Sequence, residues 1–137
     1  MKKEQLVRHE FEPVYDKNSE ILILGSFPSV KSREQGFYYG HPQNRFWKVL
    51  AAIVQEKIPD SIEEKKEMLL RNHIAVYDVI WQCKITGSSD SSIKDVVPAD
   101  ITTIVELSKI RKIYANGKLA EKLFSKYQEK KVGIKAI

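Results

Sequence analysis

Apolar residues in this chain fall into runs and stripes whose period changes along its length. The run Ile21-Leu-Ile-Leu24 is continuously apolar and stops at Gly25, the pattern of a strand covered on both faces in a parallel sheet. Gly25, Pro28, Ser29, Ser32, Gly36 and Gly40 then predict a loop that cannot become helical before Pro42. A loop of roughly 15 residues inside a compact domain is usually functional. From Pro42, which suits a first helical turn, the period becomes helical. Phe46, Leu50, Ile53 and Val54 share one side with Trp47 and Ala51 adjoining, so Asn44 is expected near the helix start.

Ser61 followed by Glu64 reads as a capping box for a second helix, with Ile62, Met68, Leu69 and Leu70 to bury and a stop near Asn72. Ile74-Ala-Val-Tyr-Asp-Val-Ile80 is β-branched and apolar enough for a second strand. A polar loop, Gly87-Ser-Ser-Asp-Ser-Ser92, precedes a short helix from about Asp100 to Ser108. Lys112-Ile-Tyr-Ala115 predicts a third strand, and Asn116-Gly117 turns it into a helix with Leu119, Ala120, Leu123, Phe124 and Tyr127 on its apolar side. Val132 to Ile137 reads as a fourth strand.

Strands alternating with helices imply right-handed crossovers, hence an α/β fold: a three-layer α/β/α sandwich around a short, mainly parallel four-stranded sheet. Ligands in such folds gather beyond the carboxyl ends of the strands. Gly25-Ser-Phe-Pro-Ser29, Asp78 and Asn116 all fall at that edge.

Length and composition narrow the function classes. The 137 residues suit one domain, without repeats or linkers, and 42% hydrophobic with 30% charged residues suits a folded chain. Cys83 is the sole cysteine, which excludes an internal disulfide framework and points to a reducing compartment. No apolar stretch reaches the roughly 18 residues of a membrane helix, and MKKEQLVRHE lacks a signal-peptide core, so a cytoplasmic protein is expected. The net charge of +5 is unevenly spread. Nine Lys/Arg face two Glu from Ser108 to Ile137, and four face one from Lys31 to Lys48, whereas Val49 to Leu107 carries six against ten acidic residues. Two basic segments flanking an acidic middle suit a phosphate-bearing partner, although a lysine-rich solvated helix face would give the C-terminal block the same composition.

His9, His41 and His73 have no metal-ligand spacing, and Cys83 has no neighbouring partner, so no metal is expected. Gly25-Ser-Phe-Pro-Ser29 lacks the G-x-S-x-G frame of a nucleophile elbow, and no G-x-x-x-x-G-K-[ST] or G-x-G-x-x-G cradle is present. What remains is a loop of neutral hydrogen-bonding groups and aromatics between basic segments. Aromatic stacking and amide hydrogen bonds are how a flipped nucleobase is held, and Asn44 or Asn116 offers both a donor and an acceptor. Each asparagine at a helix start also suits a plain cap.

Gly25-Ser-Phe-Pro-Ser29, Tyr39-Gly-His-Pro-Gln-Asn-Arg-Phe-Trp47, Gly87-Ser-Ser-Asp-Ser-Ser-Ile93 and Asn116-Gly117 together resemble the hypoxanthine-DNA glycosylase branch of the uracil-DNA glycosylase superfamily. The H-P-x-N-R-F-W string is shared with mismatch-specific uracil/thymine-DNA glycosylases. The resemblance implies base excision from double-stranded DNA carrying a deaminated base, without metal or cofactor; a monomer is expected. The mismatch-specific enzymes place a catalytic asparagine two residues after the first glycine, where this chain has Phe27. The resemblance instead assigns catalysis to Asn44, which would orient the attacking water. It assigns substrate binding to Gly25, Ser26, Phe27, Pro28, Ser29, Tyr39 and Asn116, and DNA contacts to Ser91, Ser92 and Lys118. Phe46 and Trp47 are expected to pack; Tyr38, Tyr39 and His41 are expected either to line a pocket or to anchor the loop. Family members continue past the fourth strand with a Pro/Ser-rich loop and a helix, so one domain spanning 1–137 without that segment is expected. A non-catalytic or truncated nucleic-acid-binding module, a uracil-preferring mismatch glycosylase and a flavodoxin-like nucleotide-binding domain are the alternatives.

Overall fold

The computed structural model describes residues 4–9, 11–27, 36–40, 44–86 and 89–137. Its strands are β1 (Glu4–Arg8), β2 (Ile21–Gly25), β3 (Ile74–Asp78), β4 (Ile80–Thr86), β5 (Lys94–Pro98) and β6 (Lys112–Ala115). Its helices are α1 (Phe46–Ile53), α2 (Ile62–Arg71), α3 (Ile101–Glu106), α4 (Lys118–Tyr127) and α5 (Glu129–Val132), with a 3-10 turn at Asp90–Ser92. Among the described residues, no helix is long and apolar enough to cross a membrane.

The α/β class holds, but the strands form two sheets rather than one. The parallel sheet has the order β3-β2-β6, with Ile21 opposite both Ile74 and Lys112 and Gly25 opposite Asp78. Leu22, Leu24, Val76 and Ile113 are fully buried there, each side chain contributing about 1.5–3 kcal/mol of hydrophobic stabilisation. The second sheet, β1-β4-β5, is antiparallel and was not expected from the sequence. The segment 74–80, expected to be one strand, divides at Val79: its N–H donates to Gly25 O at 2.8 Å, and Ile80 N–H donates to Ser26 O at 3.0 Å. The chain thereby leaves the parallel sheet and enters the antiparallel one.

The expected fourth parallel strand is also corrected. Residues 129–132 form α5, and only one parallel bridge, Ala136 to Ile113, continues the sheet beyond β6. Lys130, Lys131 and Gly133, the last at φ 78°, favour a short helix with a left-handed stop over an extended strand.

The α1 stripe is rotated from the expected one. Trp47, Leu50 and Ala51 are buried, Phe46 and Val54 are half-buried, and Ile53 is 72% exposed. Trp47 takes the inward place because Phe37 stacks on it at 5.9 Å and its indole N–H donates to Tyr38 O at 3.1 Å. The α2 cap forms with one change. Ser61 Oγ accepts from Glu64 N–H at 3.1 Å, but the Glu64 carboxylate reaches Asp60 N–H at 2.8 Å rather than that of Ser61. Asp100 caps α3, accepting from the Thr103 N–H at 3.1 Å and hydroxyl at 2.6 Å.

Aromatic rings join the two sheets and the loop. Tyr38 is 2% exposed, donates its hydroxyl to Glu12 O at 2.8 Å, and meets Phe11 edge-on at 4.6 Å. Burial, followed by the nearby Asp78 charge, raises the Tyr38 hydroxyl far above its usual range. Burial also pushes Tyr77 up to about 12, with Glu12, Asp78 and Asp100 adding to the effect.

Two outcomes follow from this packing. Leu50→Ala is expected to lower stability by about 2–5 kcal/mol, whereas Ile53→Ala changes it by less than about 0.5 kcal/mol, in urea titrations. Because the folded-state values of Tyr38 and Tyr77 exceed the unfolded 10.0, their stabilisation is complete below that pH. It declines as pH rises through about 12, the Tyr77 value. Denaturation midpoints are therefore expected to fall between about pH 10 and about pH 12, together with the absorbance change of tyrosinate formation.

Candidate active site

The carboxyl ends of β2, β3 and β6 lie side by side at Gly25, Asp78 and Ala115. Asn116 follows directly, held by its N–H donating to Leu24 O at 2.7 Å. A cleft of about 330 Å³ opens here, lined by Ile23, Asn44, Arg45, Phe46, Val49 and Asn116 among others. Small-ligand sites typically begin near roughly 300 Å³, so this cleft lies at the lower end of that range.

The structure therefore brings Asn44 and Asn116, 72 positions apart in the chain, to one cavity. Asn44 Oδ1 accepts from Phe46 N–H at 2.9 Å, a turn that leads into α1, whose N-cap position, Arg45, makes no side-chain cap bond. This bond occupies one lone pair of the amide oxygen. Among the described residues, the other lone pair and the two amide protons have no partner. Asn44, Arg45 and Asn116 are exposed at the cleft, and Lys118, first in α4, is exposed beside Asn116.

Tyr39 backs the cleft residue Phe46. Its ring stacks on Phe46 with centroids 3.9 Å apart, and its backbone lies in the left-handed region at φ 53°. Such a conformation in an aromatic residue costs of order 1 kcal/mol and persists only where surrounding contacts impose it. The Tyr39 Oη is buried and has no hydrogen-bond partner of good geometry among the described residues, although the Asn116 side chain lies close enough to act on it. Burial and then the Asp78 charge raise the Tyr39 hydroxyl above its usual range, while Asn116 opposes the rise.

The first motif is more committed to the fold than its sequence suggests. The carbonyls of Gly25 and Ser26 already accept the bonds that lead into β4, each through one of its lone pairs. Phe27 is half-buried and meets His9 edge-on at 6.1 Å. Pro28, Ser29 and His41 lie outside the described residues. Ser91 and Ser92 belong to the β4–β5 connection of the other sheet. There Ser92 Oγ accepts from Thr86 N–H at 2.9 Å and lies 2.7 Å from Ser89 O, to which it donates, while Ser91 Oγ lies 3.0 Å from Ser89 Oγ. Ser92 thus shapes its own loop; Ser91 is exposed.

Sequence reasoning missed one arrangement. His9, considered only as a metal ligand, places Nε2 2.7 Å from Asp78 Oδ2, with side chains 0% and 6% exposed. Its Nδ1–H donates to Phe11 O at 2.8 Å. A histidine just after a short polar strand and an aspartate ending a strand 69 positions later carry no joint signal in the sequence. Among the described residues, no group of three or more His, Cys, Asp and Glu could hold a metal ion.

Comparison with known proteins finds relatives over most of the chain. The hypoxanthine DNA glycosylase of Methanosarcina acetivorans is 38% identical over 117 residues, covering 84% of this chain and 74% of that protein. Its namesake from Methanosarcina barkeri is 37% identical over 110 residues, covering 79% and 70%. The solution NMR structure of a candidate uracil DNA glycosylase from Methanosarcina acetivorans superposes with a TM-score of 0.81 at 33% identity, over 96% of this chain and 81% of that one. The family model for the uracil DNA glycosylase superfamily matches residues 12–135, a span that holds both asparagines of the cleft and the three parallel strands beneath them. The chain belongs to the uracil DNA glycosylase superfamily.

Proposed function

We propose that this chain is a monofunctional, single-domain DNA glycosylase that hydrolyses the N-glycosidic bond of deoxyinosine in double-stranded DNA, acting as a monomer in the cytoplasm. The observation that carries the reading is the convergence of Asn44 and Asn116 on one cleft at the carboxyl edge of the parallel sheet. The names of the two Methanosarcina relatives support hypoxanthine as the base.

In this reading Asn44 orients the attacking water through the amide lone pair that the bond to Phe46 N–H leaves over. An amide is too weak a base to ionise water, so the rate comes from geometry and electrostatics around an oxocarbenium-like sugar. Asn116 bonds the edge of the flipped base, and the stacked rings of Tyr39 and Phe46 supply an apolar wall. Arg45, Lys48 and Lys118 are exposed cations around the cleft and the edge, suited to the phosphates on either side of the flipped nucleotide. Ser91 and Ser92 retain a role only as phosphate contacts of the β4–β5 loop.

The solved candidate uracil DNA glycosylase favours a second reading, in which uracil is preferred. Duplexes carrying deoxyinosine, deoxyuridine or deoxyxanthosine, incubated with the protein and treated with alkali, separate the two. The deoxyinosine strand is expected to break fastest. Faster breakage at uracil would replace the substrate, and no breakage at any of the three would refute the enzyme.

Asn44 has a turn bond to Phe46 N–H and a proposed chemical role, and two substitutions divide them. Asn44→Ser keeps a side-chain acceptor for that N–H, so stability stays within about 0.5 kcal/mol, while the single-turnover rate is expected to drop roughly 10²- to 10³-fold. Asn44→Ala loses rate to the same extent and a further ~1 kcal/mol of stability. Full activity in the serine variant would leave Asn44 with the turn bond alone.

A further inference from the structure

The glycosylase reading makes no use of the best-sheltered polar pair in the molecule. Asp78 closes β3 opposite Gly25, and a Cβ built on Gly25 would overlap its Oδ1 and stand 3.2 Å from Tyr39 Oη. The carboxylate therefore fills the space of the side chain that Gly25 lacks. The other carboxylate oxygen meets His9 Nε2 at 2.7 Å, while the opposite ring nitrogen is fixed to Phe11 O at 2.8 Å. The edge of the same imidazole faces the half-buried Phe27 ring.

Both imidazole nitrogens face acceptors, Phe11 O and Asp78 Oδ2. A buried pair of this kind adds little net stability, and apolar residues of the same volume often serve as well. Its contacts, however, fall on Gly25, Phe27 and Tyr39, and Tyr39 stacks on the cleft residue Phe46. Both partners lie too deep to reach a substrate.

We propose that His9 and Asp78 are a positioning pair for the base pocket. They anchor the Gly25 to Phe27 backbone and the Tyr39 ring where cleavage requires them, and neither residue touches DNA. The kinetic part rests on the glycosylase reading; the structural part does not. Misplacement of a reacting geometry by a fraction of a bond length is enough to cost orders of magnitude in rate.

The test compares His9→Ala with His9→Gln, whose amide can still donate to Asp78. Each variant is assayed for single-turnover release of hypoxanthine, for binding to a duplex carrying uncleavable 2′-fluoro-deoxyinosine, and for the amide resonances of Gly25, Ser26, Phe27 and Tyr39 without DNA. In His9→Ala the rate is expected to fall at least about 10-fold, with affinity kept within about threefold and those four amides displaced. His9→Gln is expected to recover most of the rate and the resonance positions. Unmoved amides in His9→Ala, or a glutamine variant no better than the alanine one, would overturn the proposal. If the unaltered protein releases no base, the glycosylase reading fails, and the amide resonances alone decide the pair. Should His9→Ala not fold, His9→Asn, which keeps the Phe11 contact and drops the one to Asp78, carries the same measurements.

Discussion

The close approach of the Asp78 carboxylate to Gly25 is the constraint from which the edge of this sheet is organised. The two residues are partners in the β2–β3 register, and only a residue without Cβ leaves room for the carboxylate. Directly above that contact the Gly25 and Ser26 carbonyls capture Val79 and Ile80, which redirects the chain from the parallel to the antiparallel sheet. The same carboxylate reaches His9 at the end of β1, so the antiparallel sheet is tied back to the parallel one at this level. A buried charge is tolerated here because a hydrogen-bonded partner meets it.

The aromatic string around Asn44 divides its labour along the chain. Tyr38 and Trp47 enter the core, where the Trp47 indole N–H is satisfied by the Tyr38 carbonyl. Tyr39 turns the opposite way through a left-handed backbone and lays its ring on Phe46. Between these anchors Asn44 accepts from Phe46 N–H in the turn that leads into α1. In the proposed reading, an amide that orients a water through one lone pair benefits from being held through the other.

Local chemistry explains which of these features were readable in advance. β2, β6, α2, α4 and the Ser61 cap follow from apolar runs, helical spacing and capping residues, all of which act over a few positions. β1 and β5 did not declare themselves, since EQLVR and KDVVP are short and mixed in charge, with both faces largely exposed. Their pairing joins Glu4 to Thr86, a partner that no local pattern names. The split at Val79 was invisible for the same reason: Ile74 to Ile80 is apolar but for Asp78, and the break is imposed by carbonyls of the segment that ends β2. Asn44 and Asn116 were legible through family resemblance, and the fold supplied their meeting. The His9–Asp78 pair had neither a local pattern nor a quoted motif to announce it.

The electrostatics of the edge fit a partner that is an anion. An open carboxylate beside the cleft would repel the phosphates of any nucleotide turned into it, with little screening by salt in a partly buried setting. This chain keeps its carboxylate below the surface and bonded to an imidazole, and it presents amides, aromatic faces and the cations of Arg45, Lys48 and Lys118 outward. In the proposed reading, attraction to the backbone is thereby separated from the neutral groups that would meet the base. The cleft does not need a strong base if departure of the heterocycle leads and water follows, because orientation then governs the rate more than basicity does. An asparagine placed just before a packed helix, sharing a cleft with a second asparagine held by the central strand, suits that proposed division.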